Sequence, residues 1–467
     1  MIRCAKWAIW LYIILLIFEG SLRKWIMPGL SQPLLIVRDP VLLLIYGLAL
    51  MGGIVPRTRF LLFLAAIALA SFCFAFLAGQ NNLWVTLYGI RSNYLHVPLI
   101  WVMAEVMNRE DVEKVGVFFL IIAIAMTILM IMQFKAPIAS WINRGVGDEE
   151  GGQIYGAGGH IRPPGFFTFI TGPMVFFPFA AAFFLNAINR KEQKWWRMPV
   201  LIISGLAIAI ALPISISRGV MIGTLFVLAV YLIGLFKVGI FNLSFLRFGA
   251  LGLLLLVALS FFPIFKEARE AFMDRWDTAA AESEGDAVGS LVSRVTLAFT
   301  QPIDTIERTP TFGYGVGVGT NVGARLLAGS TGFLLAEDEW GRVIMELGPM
   351  LGLSFILFRI CLTCYLGVIA FRALRDDDDL LPLLIFSAAA WVILMTQWGQ
   401  ATQLGFAVIG GGLLLASVNR ETEDDEEENS DDSDDETDDD EDDSDEEDEP
   451  SPRISEHEAR RRRMRGL

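Results

Sequence analysis

The sequence predicts an all-α, polytopic integral membrane protein with about twelve transmembrane helices, two long outer loops and a disordered acidic C-terminal tail. Three observations carry that expectation. Hydrophobic residues make up 54% of the 467 positions, against roughly 45–50% for an ordinary soluble domain. Several stretches close to the length needed to cross a bilayer contain no Asp, Glu, Lys or Arg. Charge is also segregated: Arg420–Leu467 holds 25 acidic and 7 basic residues, which leaves 27 acidic and 30 basic residues for the body. The body is slightly basic, and it contains no folded basic domain, which excludes a nucleic-acid partner.

The elements follow in order. An N-terminal bundle over 1–134 holds spans at Cys4–Phe18, Pro40–Val55, Leu61–Gly79, Leu83–Met107 and Val115–Phe134, the fourth broken by Arg91. The start is not a cleaved signal, because it lacks a small-residue cleavage site and runs into Glu19 and Arg23. A first outer loop covers 135–170. Central spans over 171–265 are Thr171–Asn189, Met198–Ser217, Gly219–Phe236 and Phe248–Phe265. A large outer loop covers 266–342. The C-terminal helices, 343–419, comprise Val343–Phe371, which carries Glu346 and Arg359, and the uncharged Leu380–Asn419, long enough for two spans around a turn at Trp398–Thr402. The tail, 420–467, is too acidic to bury apolar surface and is expected to be a disordered cytoplasmic segment.

Loop charge sets the orientation. With Arg3 and Lys6 in the cytoplasm, the even-numbered loops carry Arg57 and Arg59, Arg109 and Lys114, Arg190 to Arg197, Lys237, and Arg372 and Arg375. Short loops rich in Lys and Arg face the cytoplasm. Both termini are then cytoplasmic, and the polar and glycine-rich segments collect on the opposite face. That asymmetry favours binding or chemistry at the outer surface over transport, whose polar groups would gather near the midplane in related halves.

Candidate chemistry rests on three loop motifs. Arg162-Pro163-Pro164-Gly165-Phe166-Phe167-Thr168 presents a guanidinium at a rigid corner, suited to a lipid-linked phosphate or simply to headgroup contact. Ser215-Ile216-Ser217-Arg218-Gly219 joins two uncharged spans with almost no loop, so Arg218 lies at the membrane edge or in the bundle, where an ionised group marks a functional site by default. In Gly313-Tyr314-Gly315-Val316-Gly317-Val318-Gly319, alternating glycines suit a nest of N–H groups facing an anion. Glu337-Asp338-Glu339-Trp340 and Glu346-Leu347-Gly348 follow, a solvated cap or the source of a general base. With His at only positions 96, 160 and 457, metal sites built on His clusters are not expected, and no cofactor is implied. Cys4, Cys73, Cys361 and Cys364 lie in or beside apolar runs and are expected to pack rather than to form a redox or metal pair.

The order Arg-x-x-Gly-Phe-Phe, Ser-Arg-Gly between two spans, Gly-x-Gly-x-Gly, then Glu-Leu-Gly resembles the O-antigen ligase and O-antigen polymerase superfamily over roughly Arg162 to Phe358. Phe18-Glu19-Gly20-Ser21-Leu22-Arg23-Lys24-Trp25 and Val37-Arg38-Asp39-Pro40 resemble a bacterial exopolysaccharide subgroup. The resemblance implies a metal-independent glycosyltransferase of the bacterial inner membrane, moving a glycan from undecaprenyl diphosphate to an acceptor hydroxyl. Membrane lipids and other polysaccharide-assembly proteins are its expected partners. It implies Arg162 and Arg218 as ligands of the diphosphate, with Arg91 and Arg23 as further candidates. Where ligases of the superfamily carry a His-Asn pair, nine residues before the Glu of Glu-Leu-Gly, this chain has Glu337-Asp338, so Glu337 takes the position of the base. Ligase and polymerase both stay open, as do a polysaccharide transporter or flippase component and a non-catalytic membrane scaffold.

Overall fold

A computed structural model describes residues 1–80, 82–146, 155–157, 159–189, 197–239, 266–274, 296, 300–329, 334–336 and 338–419. About 79% of them are helical, and almost none are in strands. Runs of Leu, Ile, Ala and Phe satisfy every backbone polar group within the segment, the one solution open to an isolated span in hydrocarbon. Among the described residues, eight helices are long and apolar enough to cross a membrane: Ile2–Ile26, Pro33–Met51, Arg59–Leu77, Arg109–Lys135, Thr171–Ile188, Arg218–Val238, Glu339–Asp377 and Ala401–Val418. Met198–Ile214 and Leu380–Met395 are shorter apolar helices. The expected span at Phe248–Phe265, residues 275–295, 297–299, 330–333 and 337 of the 266–342 segment, and the tail lie outside the described residues.

Two departures from simple spans have visible causes. The expected segment Leu83–Met107 consists of two eight-residue helices, α4 (Leu83–Ile90) and α5 (Leu99–Val106), joined by a π-helical turn over Arg91–Leu95. Arg91 must reach a carboxylate rather than lipid, and the wider turn gives its side chain that direction. Helix α11 (Glu339–Asp377) breaks at Gly348, whose φ of 80° is followed by Pro349. The uncharged Leu380–Asn419 run forms α12 (Leu380–Met395) and α13 (Ala401–Val418) around a corner at 396–400.

Helix α13 is the axis of the packing, with 83% of its apolar window buried. Its Gly410–Gly412 run lets α5 and other neighbours approach closely, the usual device where no hydrophobic drive separates helix from lipid. Around it, Phe119 of α6 (Arg109–Lys135) stacks on Phe176 of α7 (Thr171–Ile188) at 5.3 Å, and Phe406 of α13 meets Phe119 edge-on at 6.3 Å. The peripheral helices α2 (Arg38–Met51) and α3 (Arg59–Leu77) leave most of their apolar side chains at least partly exposed, as lipid-facing helices do. All four cysteines are free and lie on exposed faces; they do not pack in the interior as expected, because the apolar runs that hold them turn those positions outward.

One end of the bundle is closed by structural ion pairs. Lys6 pairs with Asp111 at 2.7 Å, and Arg109 binds Asp379 and the Ser417 carbonyl. The other end carries the described parts of the polar segments, 135–146, 159–170 and 310–329.

Candidate functional site

The glycine-rich segment is built around the kink in α11. Pro349 has no N–H, so the Met345 carbonyl four residues earlier loses its helical partner. Tyr314 N–H takes that carbonyl at 2.7 Å, and Gly315 N–H takes the Glu346 carbonyl at 3.0 Å. Gly319 N–H donates to the Glu346 carboxylate at 2.8 Å. Gly313, Gly315 and Gly317 all have φ between 69° and 98°, a left-handed backbone that other residues adopt only with strain. A Cβ on Gly313 would stand 2.5 Å from the Glu346 carbonyl oxygen and the Gly348 nitrogen. The segment is therefore not an open anion nest: the Tyr314 and Gly315 N–H groups take backbone carbonyls, and the Gly319 N–H takes the chain's own Glu346 carboxylate.

Glu346 belongs to a fully buried ionic cluster. Arg342 donates to Glu339 through Nε at 2.8 Å and Nη2 at 3.0 Å, to Glu346 through Nη1 at 2.7 Å, and to the Asn93 side chain at 3.1 Å. Arg359 donates to Glu339 at 2.5 Å and to the carbonyls of Ile393 and Thr396 at 2.8 Å. Its guanidinium stands 4.4 Å from the Trp398 ring centroid, and Trp398 N–H reaches Glu339 at 3.1 Å. Two arginines face two glutamates, so the cluster is neutral. It ties the glycine segment, the π turn, α11 and the α12–α13 corner together. The sequence places Glu346 in Glu346-Leu347-Gly348, as a cap or a source of a general base, and Arg359 only as a charge within a weak span. The signal was the spacing: Glu339, Arg342 and Glu346 stand at i, i+3 and i+7, on one helical face.

The Arg162 motif docks on the first helix. Ser21 Oγ donates to the Phe166 carbonyl at 3.0 Å, Lys24 Nζ to the Gly165 carbonyl at 3.0 Å, and Gln133 brackets Gly165 with bonds of 2.8 and 3.2 Å. The Ser21–Lys24 end of the first helix and the Gly165–Phe166 corner of the first loop are therefore a single structural unit. A short hairpin pairs Tyr155–Ala157 with His160–Ile161. A Cβ at Gly156 would lie 3.1 Å from Ile216 and 3.4 Å from Arg162, so the Arg162 loop and the Ser215–Gly219 corner share one neighbourhood. Arg218 opens α9 (Arg218–Val238) and is half-buried, as is Arg162. Glu337 lies outside the described residues.

Arg91 sits in a different polar group. Its Nε and Nη2 grip Asp39 at 2.7 and 2.8 Å. Asp39 also faces His96 Nε2 at 3.1 Å, and His96 Nδ1 lies 2.8 Å from the Tyr12 hydroxyl. A carboxylate only accepts, so Nε2 carries the proton and Nδ1 accepts from Tyr12. Arg38 links the same group to Glu19 at 3.2 Å and to the Ala401 carbonyl at 2.5 Å. The sequence marks Asp39 only within Val37-Arg38-Asp39-Pro40 and gives His96 and Tyr12 no site role, because the three stand far apart in the chain.

No protein-family model matches the chain, and no curated protein is similar to it. Among the described residues no cluster of three or more His, Cys, Asp or Glu side chains could hold a metal ion.

Proposed function

We propose that this chain is a glycan ligase or polymerase of cell-surface polysaccharide assembly, transferring a glycan from undecaprenyl diphosphate to an acceptor hydroxyl at the outer face of the bacterial inner membrane. One observation carries the reading: the Arg162 loop, the Arg218 corner, the glycine segment and Glu346, separated by up to about 180 residues in sequence, lie at one end of the helices. The full layout would have twelve spans, with Phe248–Phe265 and the broken 83–107 segment joining those described, and cytoplasmic termini.

In this reading the acceptor oxygen attacks the anomeric carbon as the lipid diphosphate departs. The leaving group is already good, so the protein supplies position and charge. Arg162 and Arg218 bind the departing diphosphate, and the planar guanidinium fork suits its oxygens. Glu337 takes the acceptor proton, with Asp338 beside it capping α11 through its bond to Gly341 N–H at 2.7 Å. The test is transfer from purified lipid-linked donor by full-length protein in nanodiscs. Transfer that survives Arg162→Ala and Arg218→Ala at near-normal rate removes the basis of the proposal.

A further inference from the structure

We propose that His160 is a protonation-dependent latch: with both ring nitrogens protonated it fastens the first long loop, two residues before Arg162, to the helical stretch 266–274, and with one proton it lets that stretch go. The latch belongs to the two loops themselves and holds whatever Arg162 binds.

The geometry around the ring is fixed on one side. His160 opens the second strand of the hairpin, opposite Ala157. Its ring lies flat against Phe134 near the end of α6, with centroids 4.0 Å apart and planes 10° apart. Nδ1 stands 2.8 Å from the Phe134 carbonyl oxygen, one of the acceptors that a helix end leaves without a helical partner. On the other side, Nε2 stands 3.2 Å from a carboxylate oxygen of Glu267.

The proton count follows from the partners. A carbonyl and a carboxylate only accept, so each of the two bonds needs a proton on the nitrogen that faces it. The imidazolium carries two such protons and makes both bonds. The neutral ring carries one. It keeps that proton on Nδ1, where the contact is shorter, less exposed and backed by the Phe134 stack. Nε2 then turns a lone pair toward the Glu267 oxygen, and the bond is lost. His96 shows the contrast: there Tyr12 donates to Nδ1 and Asp39 accepts from Nε2, so a single proton satisfies both contacts.

The surroundings leave this contact to decide where the 266–274 stretch rests. Charged groups reach the ring's neighbourhood from four elements. Lys135 follows Phe134 on α6, Arg162 follows on the loop, and the Ser215–Gly219 corner, which meets the hairpin through Ile216, carries Arg218. The 266–274 stretch carries Lys266, Glu267, Arg269, Glu270 and Asp274, and Lys266 pairs with Glu270 at 3.9 Å along its own helix. Among the described residues, Glu267 is the carboxylate within ion-pair distance of the ring. Within the stretch the buried side chains are Ala268 and Ala271, which are small and hide little apolar surface. An exposed pair of this kind is too weak to govern folding, yet it shifts the population of a loop contact by about twofold or more.

The experiment measures that population directly. Full-length protein in nanodiscs, in a background lacking the four native thiols, carries spin labels at Ile138→Cys and Met273→Cys, both exposed positions. Distances between the labels are recorded by double electron–electron resonance at about pH 5 and about pH 8, which bracket the range where imidazoles titrate. In wild type we expect one narrow distance at the lower pH, with its population reduced about twofold or more at the higher pH. Glu267→Gln is the deciding variant. Its amide offers an oxygen to the imidazolium and an N–H to the neutral ring, so the narrow distance should persist at both pH values. His160→Phe keeps the stack and loses both bonds, and should be broad at both. Glu270→Gln, on the same stretch but facing Lys266, should respond to pH as wild type does. A wild-type distribution that ignores pH overturns the proposal. So does a Glu267→Gln variant that responds to pH like wild type or is broad throughout.

Discussion

Tyr314 N–H donates to the Met345 carbonyl at 2.7 Å, the carbonyl that Pro349 leaves without a helical partner. A helix break within one span is thereby capped by a loop that sequence reading treated as an open anion nest. The loop and the kink define each other, and both depend on glycine.

Gly348→Ala should therefore be among the most damaging small substitutions in the chain. At φ 80° and ψ 163° the position is open essentially to glycine alone, and Thr311 and Gly313 crowd the place a Cβ would take. We expect about 2 kcal/mol of destabilisation or more. Thermal unfolding in detergent measures it; a melting temperature equal to wild type would mean the break is formed some other way.

Arg359→Met should destabilise strongly, by about 3–5 kcal/mol, because it strips a buried pair of one partner and strands the Ile393 and Thr396 carbonyls. Adding Glu339→Gln should recover part of the loss by restoring charge balance. Monodispersity after a heat step reads both. A double variant no better than the single would show that the carbonyl contacts, not the ion pair, matter.

Much of this fold was legible and some was not, for physical reasons. Runs such as Leu61–Gly79 and Val115–Phe134 declare themselves, since an uncharged stretch of that length has few alternatives to spanning. Arg91 was correctly read as a break, but not the π turn it induces, because a turn with one extra residue leaves no compositional mark. Intramembrane charge was weighed one residue at a time at Arg218, whereas Glu339, Arg342, Glu346 and Arg359 acquire meaning only as a set. The Asp39–His96–Tyr12 chain needs three helices to meet, and no local pattern announces that.

In the transfer assay, Arg218→Ala and Arg162→Ala should each cost on the order of 10²–10³ in rate. Arg218→Lys should recover activity only partly, since it keeps the charge and loses the fork. Glu337→Gln should be comparably damaging if that carboxylate accepts the proton. Membrane insertion of every variant is checked alongside.

Single cysteines at Gly151 and Ser283, in a background lacking the four native thiols, should react with an impermeant reagent from outside the inner membrane, and one at Asp377 should not. The reverse pattern would invert the orientation on which the transfer reading depends.

Deleting residues 421–467 should leave glycan transfer intact if, as the loop charges predict, the acidic segment is cytoplasmic. Loss of transfer by a truncated protein that inserts normally would give the tail a role in the chemistry.

The two π turns, Leu22–Ile26 and Arg91–Leu95, have a consequence for how the chain tolerates changes of length. Each stores one residue more than an α-helical turn requires. Removing that residue from either would let the helix close into regular geometry with its backbone bonds intact, so nothing in the local energetics forbids it. Yet every side chain beyond the deletion would swing by about 100° around the axis, carrying Arg23 or Arg91 out of line with its carboxylate. A one-residue deletion there would yield a better helix and a dismantled polar group, a change whose cost is paid in alignment.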